Sequence, residues 1–166
     1  MESLKYGDKI PSSSVIIRFP DCDPFGHLNN SRYIDYFVNA REDHLRENYG
    51  LDVYDAGGVS WVTGLQHIAY LKPAMLMEKV WIESQMISFH PKYVVVEMRM
   101  LNERKSELKS LLWGKFYHVD LATGKSRRHS DEFMSFFEII AVPVEQSRFE
   151  DRVNFFRTSN SIKTDN

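Results

Sequence analysis

The chain has 166 residues, 43% hydrophobic and 27% charged, with a formal net charge of −2. This is the make-up of an ordinary globular protein with a sizeable core, and it lacks the basic footprint of a nucleic-acid binder. The single Cys22 excludes an internal disulfide and suits a reducing compartment. No apolar run approaches the roughly 20 residues that span a bilayer. Charged Glu2, Lys5, Asp8 and Lys9 leave no secretory apolar segment in Met1–Ile10. One cytoplasmic domain over residues 1–166 is expected, with a core at about 14–140 and an extension over 141–166, without nucleic-acid or membrane partners.

Ser14–Phe19 (SVIIRF) is β-branched and aromatic and reads as a first strand. Pro20–Asn30 is a polar loop in which Pro20 and Pro24 resist regular structure and Gly26 permits a tight turn beside His27. Asn29, Asn30 and Ser31 are good helix caps. Ile34, Phe37, Val38, Arg41, Leu45 and Tyr49 recur at helical spacing, and Gly50 supplies a C-terminal cap, so a helix is expected over Ser31–Tyr49. Its flank of Glu42, Asp43, Arg46 and Glu47 is polar and faces water or a partner, while Arg41 on the apolar stripe calls for an ion pair.

After a linker at Gly57-Gly58, long strands are expected at Val59–Leu71, Lys79–Phe89, Tyr93–Leu101 and Leu108–Leu121. His90-Pro91-Lys92, Asn102–Ser106 and Ala122-Thr123-Gly124 turn the chain, and a short strand follows near Lys125–His129. Short connections between long strands predict an antiparallel meander. Asp131–Ile140 is open; Asp131 can cap a short helix holding Phe133, Phe136 and Phe137. Gln146–Phe156 reads as a weaker last helix, and Thr158–Asn166 as a frayed polar end. One helix and one large sheet bury each other only if the sheet curls around the helix.

The chemistry concentrates in the loop. An acid and an imidazole run straight into a helix start, where unpaired N–H groups and partial positive charge can hold an oxyanion. Asp23 can activate water or attack a carbonyl itself; it reads equally as a turn residue bonded to its own loop. His27 can carry a proton near neutral pH or be satisfied by loop carbonyls. Asp21 reads as structural, and Cys22, flanked by two acids, is a poor nucleophile. Asp21, Asp23 and His27 have no further ligand cluster, so no metal is expected. Met75, Met77, Met86, Met98 and Met100 read as core filler.

The run Asp21-Cys22-Asp23-Pro24-Phe25-Gly26-His27-Leu28-Asn29-Asn30, with Tyr33 and Ala40-Arg41, resembles the hotdog-fold acyl thioesterases. Its DCDPxG portion is similar to the 4-hydroxybenzoyl-CoA thioesterase branch, and its D-x-D-x-x-G-H-x-N-N-x-x-Y portion to the acyl-CoA and acyl-ACP branch. Ile68–Ala74 resembles that family's second strand and exit, and the likeness covers about Val15–Phe137. It implies an α+β hotdog fold, a sheet around one central helix, in a homodimer or homotetramer with sites at the subunit interface. It further implies hydrolysis of acyl-CoA or acyl-ACP without a metal or organic cofactor, CoA entering as part of the substrate. Asp23 falls on the catalytic carboxylate, Asn30 on the backbone N–H that polarises the carbonyl, and His27 on an assisting residue. Phe25 stands where the acyl-ACP branch has a catalytic Asn. Phe25 and Tyr33 are candidates for the acyl slot. Lys72, Arg127 and Arg128, with Lys92, Lys125 and His129, are candidates for the CoA phosphates. A non-catalytic acyl-CoA sensor is the alternative from another class.

Overall fold

The computed structural model describes residues 4–52 and 57–161, so the middle of the expected linker and the last residues lie outside it. The elements are β1 (Ser12–Ile16), α1 (Tyr33–Tyr49), β2 (Val59–Tyr70), β3 (Lys79–His90), β4 (Tyr93–Leu101), β5 (Leu108–Asp120), α2 (Asp131–Ile140) and α3 (Phe149–Ser161). Single 3₁₀ turns at Phe19–Asp21 and Asn30–Arg32 flank the polar loop. The expected helix therefore starts as a 3₁₀ turn, and it ends on Gly50 in the left-handed region at φ 67°.

All five strands form one antiparallel sheet in the order β1-β3-β4-β5-β2. Only β3, β4 and β5 form the expected meander; β2 lies at the edge beside β5 instead of beside β3. The connection after β2 is diverted towards the helix start, where Ala74 N–H donates to the Tyr33 hydroxyl and Leu28 N–H to the Ala74 carbonyl. These bonds satisfy a buried backbone that cannot turn straight into a neighbouring strand. β2 also carries a bulge between Thr63 and Leu65. A side chain at Gly64 would collide with the Tyr117 ring, so glycine lets that ring lie across the strand.

Helix α1 packs on one face of the sheet. Tyr33, Tyr36, Phe37 and Ala40 meet Val80, Ile82, Met98, Met100 and Leu112 in one buried cluster. Of the expected filler methionines, Met98 and Met100 are buried whereas Met75 and Met77 are exposed. The far half of α1 joins Val94, Phe116 and the apolar face of α2 in a second cluster. Arg41 places its guanidinium 4.0 Å from the centre of the Phe116 ring, a cation–π contact.

α2 is capped by Ser130, whose hydroxyl accepts from Phe133 N–H; Asp131 lies inside the first turn. The short strand expected near Lys125–His129 reduces to one isolated bridge, Val119 to Ser126. His129 leaves the surface altogether. It is buried, stacks on His118 with centroids 4.5 Å apart, and accepts from Trp61 Nε1–H at 2.9 Å while its Nδ1 lies 3.1 Å from the His90 carbonyl.

α3 covers part of the opposite face of the sheet. Glu97, fully buried on β4, pairs with Arg99 of its own strand and Arg152 of α3, and accepts from Trp113. Burial alone would raise its pKa. Hydrogen bonds from Arg152 and Trp113 and the charges of Arg99 and Arg152 outweigh that and hold it below the usual carboxylate range. Among the described residues, no helix is long and apolar enough to cross a membrane.

Burial, then the neighbouring His118, push the His129 pKa down to about 4, and burial first lowers His118 as well. Both are neutral in the native fold but protonated below about 6.5 once unfolded. The contribution of His129 is therefore present above pH 6.5 and lost as pH falls towards 4, at a cost of the order of 3 kcal/mol, and His118 acts in the same direction. Denaturant midpoints measured from pH 7 to 4.5 should fall steadily, and His129→Phe should flatten that slope.

Candidate active site

The polar loop is a small hairpin. Asp23 N–H donates to the His27 carbonyl, Cys22 bridges Leu28, and Asn29 N–H donates to the Asp21 carbonyl. Gly26 turns the tip at φ 79°. The returning arm is stitched to the connection after β2 by a His27–Met75 bridge and by Leu76 N–H to the Gly26 carbonyl. Leu28, fully buried, anchors the hairpin in the core.

In this ladder Asp21 and Asp23 project to one side. Asp21 accepts from the Tyr36 hydroxyl at 2.8 Å and shapes the loop. Asp23 Oδ1 accepts from Phe25 N–H at 2.9 Å, and its Oδ2 lies 3.1 Å from His27 Nδ1. The side chains remain 18% and 34% exposed, so this pair is open to a ligand. Partial burial, then the flanking carboxylates of Asp21 and Asp23, raise the Cys22 thiol pKa, and its Sγ donates to the Arg18 carbonyl.

At the helix start, Asn29 is the cap. Its side-chain oxygen accepts from Ser31 N–H at 3.0 Å and from the Ser31 hydroxyl at 2.9 Å. The cap thereby occupies the N–H of residue 31 and not that of residue 30. No described residue accepts from Asn30 N–H, while the Asn30 carbonyl accepts from the Tyr70 hydroxyl at 2.9 Å. Tyr70 thus fixes the position of residue 30 from the edge strand. The sequence reading assigned it no role, because its partner is a backbone atom 40 residues away.

Of the remaining sequence candidates, Phe25 stands beside the acid pair, 82% exposed and stacked on His27 at 6.0 Å. Lys72 is exposed on the connection leaving β2. Tyr33 lies in the core with its hydroxyl bound to Ala74 N–H, away from the surface that Phe25 shares with His27. Arg127 and Arg128 are exposed beyond the opposite end of β2 and β5, and Arg127 reaches Asp120 at 3.6 Å. Twelve residues of strand separate the two ends, roughly 35 Å. Within one chain these arginines are not brought to Asp23. An apolar cavity of about 60 Å³ lies under the far half of α1, lined by Leu45, Tyr49, Trp61, Met86, Val94 and Phe137.

One long helix packed on a five-stranded antiparallel sheet in this order is the hotdog architecture. A sequence model of the thioesterase-like superfamily matches residues 17–137, and the chain belongs to that superfamily. It is 25% identical over 114 residues to the long-chain acyl-CoA thioesterase FadM of Escherichia coli, covering 69% of this chain and 86% of FadM. Among solved structures it resembles Escherichia coli YbaW, described as a probable thioesterase, with TM-score 0.70 and 23% identity over 79% of this chain and 98% of that one. It also resembles SAV2348 of Staphylococcus aureus in complex with CoA, with TM-score 0.73 and 12% identity over 86% and 92% of the two chains.

Removing the Asn29 cap leaves Ser31 N–H without its partner. Asn29→Ala should lower unfolding stability by about 1 kcal/mol, read by chemical denaturation, with the fold retained by circular dichroism.

Proposed function

We propose that this protein hydrolyses acyl-CoA thioesters to the free acid and CoA. The observation that carries this reading is the Asp23–His27 pair in a hairpin that runs into the start of the helix, where no described residue accepts from Asn30 N–H. The N–H polarises the thioester carbonyl and then holds the tetrahedral oxyanion. Asp23 acts as general base: both of its oxygens are held by loop partners, which suits taking a proton from water better than swinging in to attack. Water adds to the carbonyl carbon as its proton passes to Asp23. The intermediate then collapses, the C–S bond breaks, and the CoA thiolate recovers the proton through Asp23 and His27. No metal or organic cofactor takes part in these steps.

The site is open on the side of β2, whose outer edge pairs with no described strand. Exposed edges of this length are rarely left uncovered. A homodimer in which two β2 strands pair antiparallel about their midpoints supplies the missing wall. It also lays the Arg127 and Arg128 end of one subunit beside the Asp23 end of the other, where the CoA phosphates need cations. The CoA-bound neighbour and the acyl-CoA thioesterase relative support CoA over a carrier protein.

Free thiol release from acyl-CoAs, followed with a chromogenic disulfide, should fall at least 100-fold in Asp23→Asn. Binding of acyl-CoA without turnover by the wild type would instead make the protein a sensor, and preference for carrier-protein thioesters would replace CoA as the substrate. A single turnover in ¹⁸O water should label the product acid; label in Asp23 would mean nucleophilic attack. Reversing Arg127 and Arg128 to Glu should raise KM for acyl-CoA about tenfold and leave kcat within about threefold, an effect that fades with salt.

A further inference from the structure

The C-terminal helix lies beyond the superfamily match, which ends at residue 137. It is nonetheless built into the sheet. Val153 is buried against Leu108 and Leu111, Phe149 packs on His67 and Trp113, and Arg152 neutralises the buried Glu97. That face of α3 is spoken for. A second stripe, Glu150, Asn154 and Arg157, at helical spacing, overlooks the edge strand and forms with His67, Ile68 and Ala69 a groove of about 370 Å³. Glu150 and Asn154 are exposed.

The groove runs along the outer edge of β2. On the same outward row of that strand, past the bulge, Val62 and Leu65 are 44% and 50% exposed. Lys115, opposite Leu65 on β5, is half-buried with its ammonium 3.8 Å from the centre of the Tyr93 ring, and it lines with Leu65 a groove along this row. The helix packs on the second half of the row through Phe149 on His67 and does not reach Val62 or Leu65 of its own strand. We propose that α3 acts in trans: in a homodimer, its Glu150–Arg157 stripe covers Val62 and Leu65 of the other copy. The inference rests on the strand pairing proposed above. Antiparallel pairing about the Gly64 bulge sets His67 of one strand near Val62 of the next. It therefore brings the partner's Glu150 over Val62 and towards Lys115, opposite charges meeting at the rim of an apolar contact. The two-fold axis makes the contact twice.

The test uses the full chain with Cys22→Ser and a short bismaleimide. Val62→Cys combined with Glu150→Cys should give a covalent dimer on a denaturing gel, and either substitution alone should give none. Leu65→Cys, near the proposed axis, reports strand pairing separately and should cross-link on its own. If Leu65→Cys cross-links and the double variant does not, α3 stays on its own subunit and the proposal is wrong while the pairing stands. If neither cross-links, the pairing falls and the proposal with it; thiol release in Asp23→Asn still judges the chemistry independently. As a second reading, Val62→Asp, on an exposed site that folding tolerates, should raise the dimer dissociation constant about tenfold by sedimentation. An unchanged constant would likewise overturn it.

Discussion

The site depends on one constraint: the hairpin of residues 21–29 is fastened, along its returning arm, to the connection that leaves β2. Leu28 N–H to Ala74, Leu76 N–H to Gly26 and the His27–Met75 bridge turn a proline-bearing polar loop into a short piece of sheet. Tyr33, the first residue of α1, holds the same connection through Ala74. Loop, helix start and strand exit are thus three edges of one rigid corner. Such fixing is what preorganised electrostatic catalysis requires, because a donor that must reorient during reaction loses most of its advantage.

That corner also explains the odd sheet order. A chain leaving β2 for an adjacent strand would turn away from the helix and leave Leu28 and Tyr33 N-terminal packing without a partner. By crossing to the helix start first, the chain makes β2 an edge. The cost is a long row of open backbone groups; the gain is a corner that holds Asp23, His27 and the start of α1 in one fixed arrangement. The buried Glu97 cluster serves the other face, where Arg99, Arg152 and Trp113 together hold a carboxylate with no exposure in its charged form.

Much of this was legible in the residues. The helix announced itself through apolar spacing and Gly50, and the strands through β-branched and aromatic density broken by turn residues. The Asp-Cys-Asp-Pro-Phe-Gly-His run pointed to the loop because acid, imidazole and helix start lie within ten residues of each other. Long-range choices were not legible. Strand pairing is decided by contacts between residues far apart in sequence, so nothing local distinguishes β2 beside β5 from β2 beside β3. His129 read as part of a basic surface group because charge runs are usually solvated; aromatic neighbours from β2, β5 and α2 drew it inside. Tyr70 went unassigned because a hydroxyl aimed at a distant carbonyl leaves no pattern.

The bulge in β2 has a bearing on how this strand can change. Trp61 and Ile68 both point towards the helices, yet they are seven positions apart, an odd interval that a regular pleat would send to opposite sides. The extra residue at Gly64 resets the phase midway, so the strand is two half-strands locked out of step. Losing that one residue would merge the halves into a single regular strand with both side chains still inside, whereas losing a residue from within either half would turn one of them to the other face. Length changes within either half should therefore come in pairs of residues, while the residue at the bulge can be gained or lost singly.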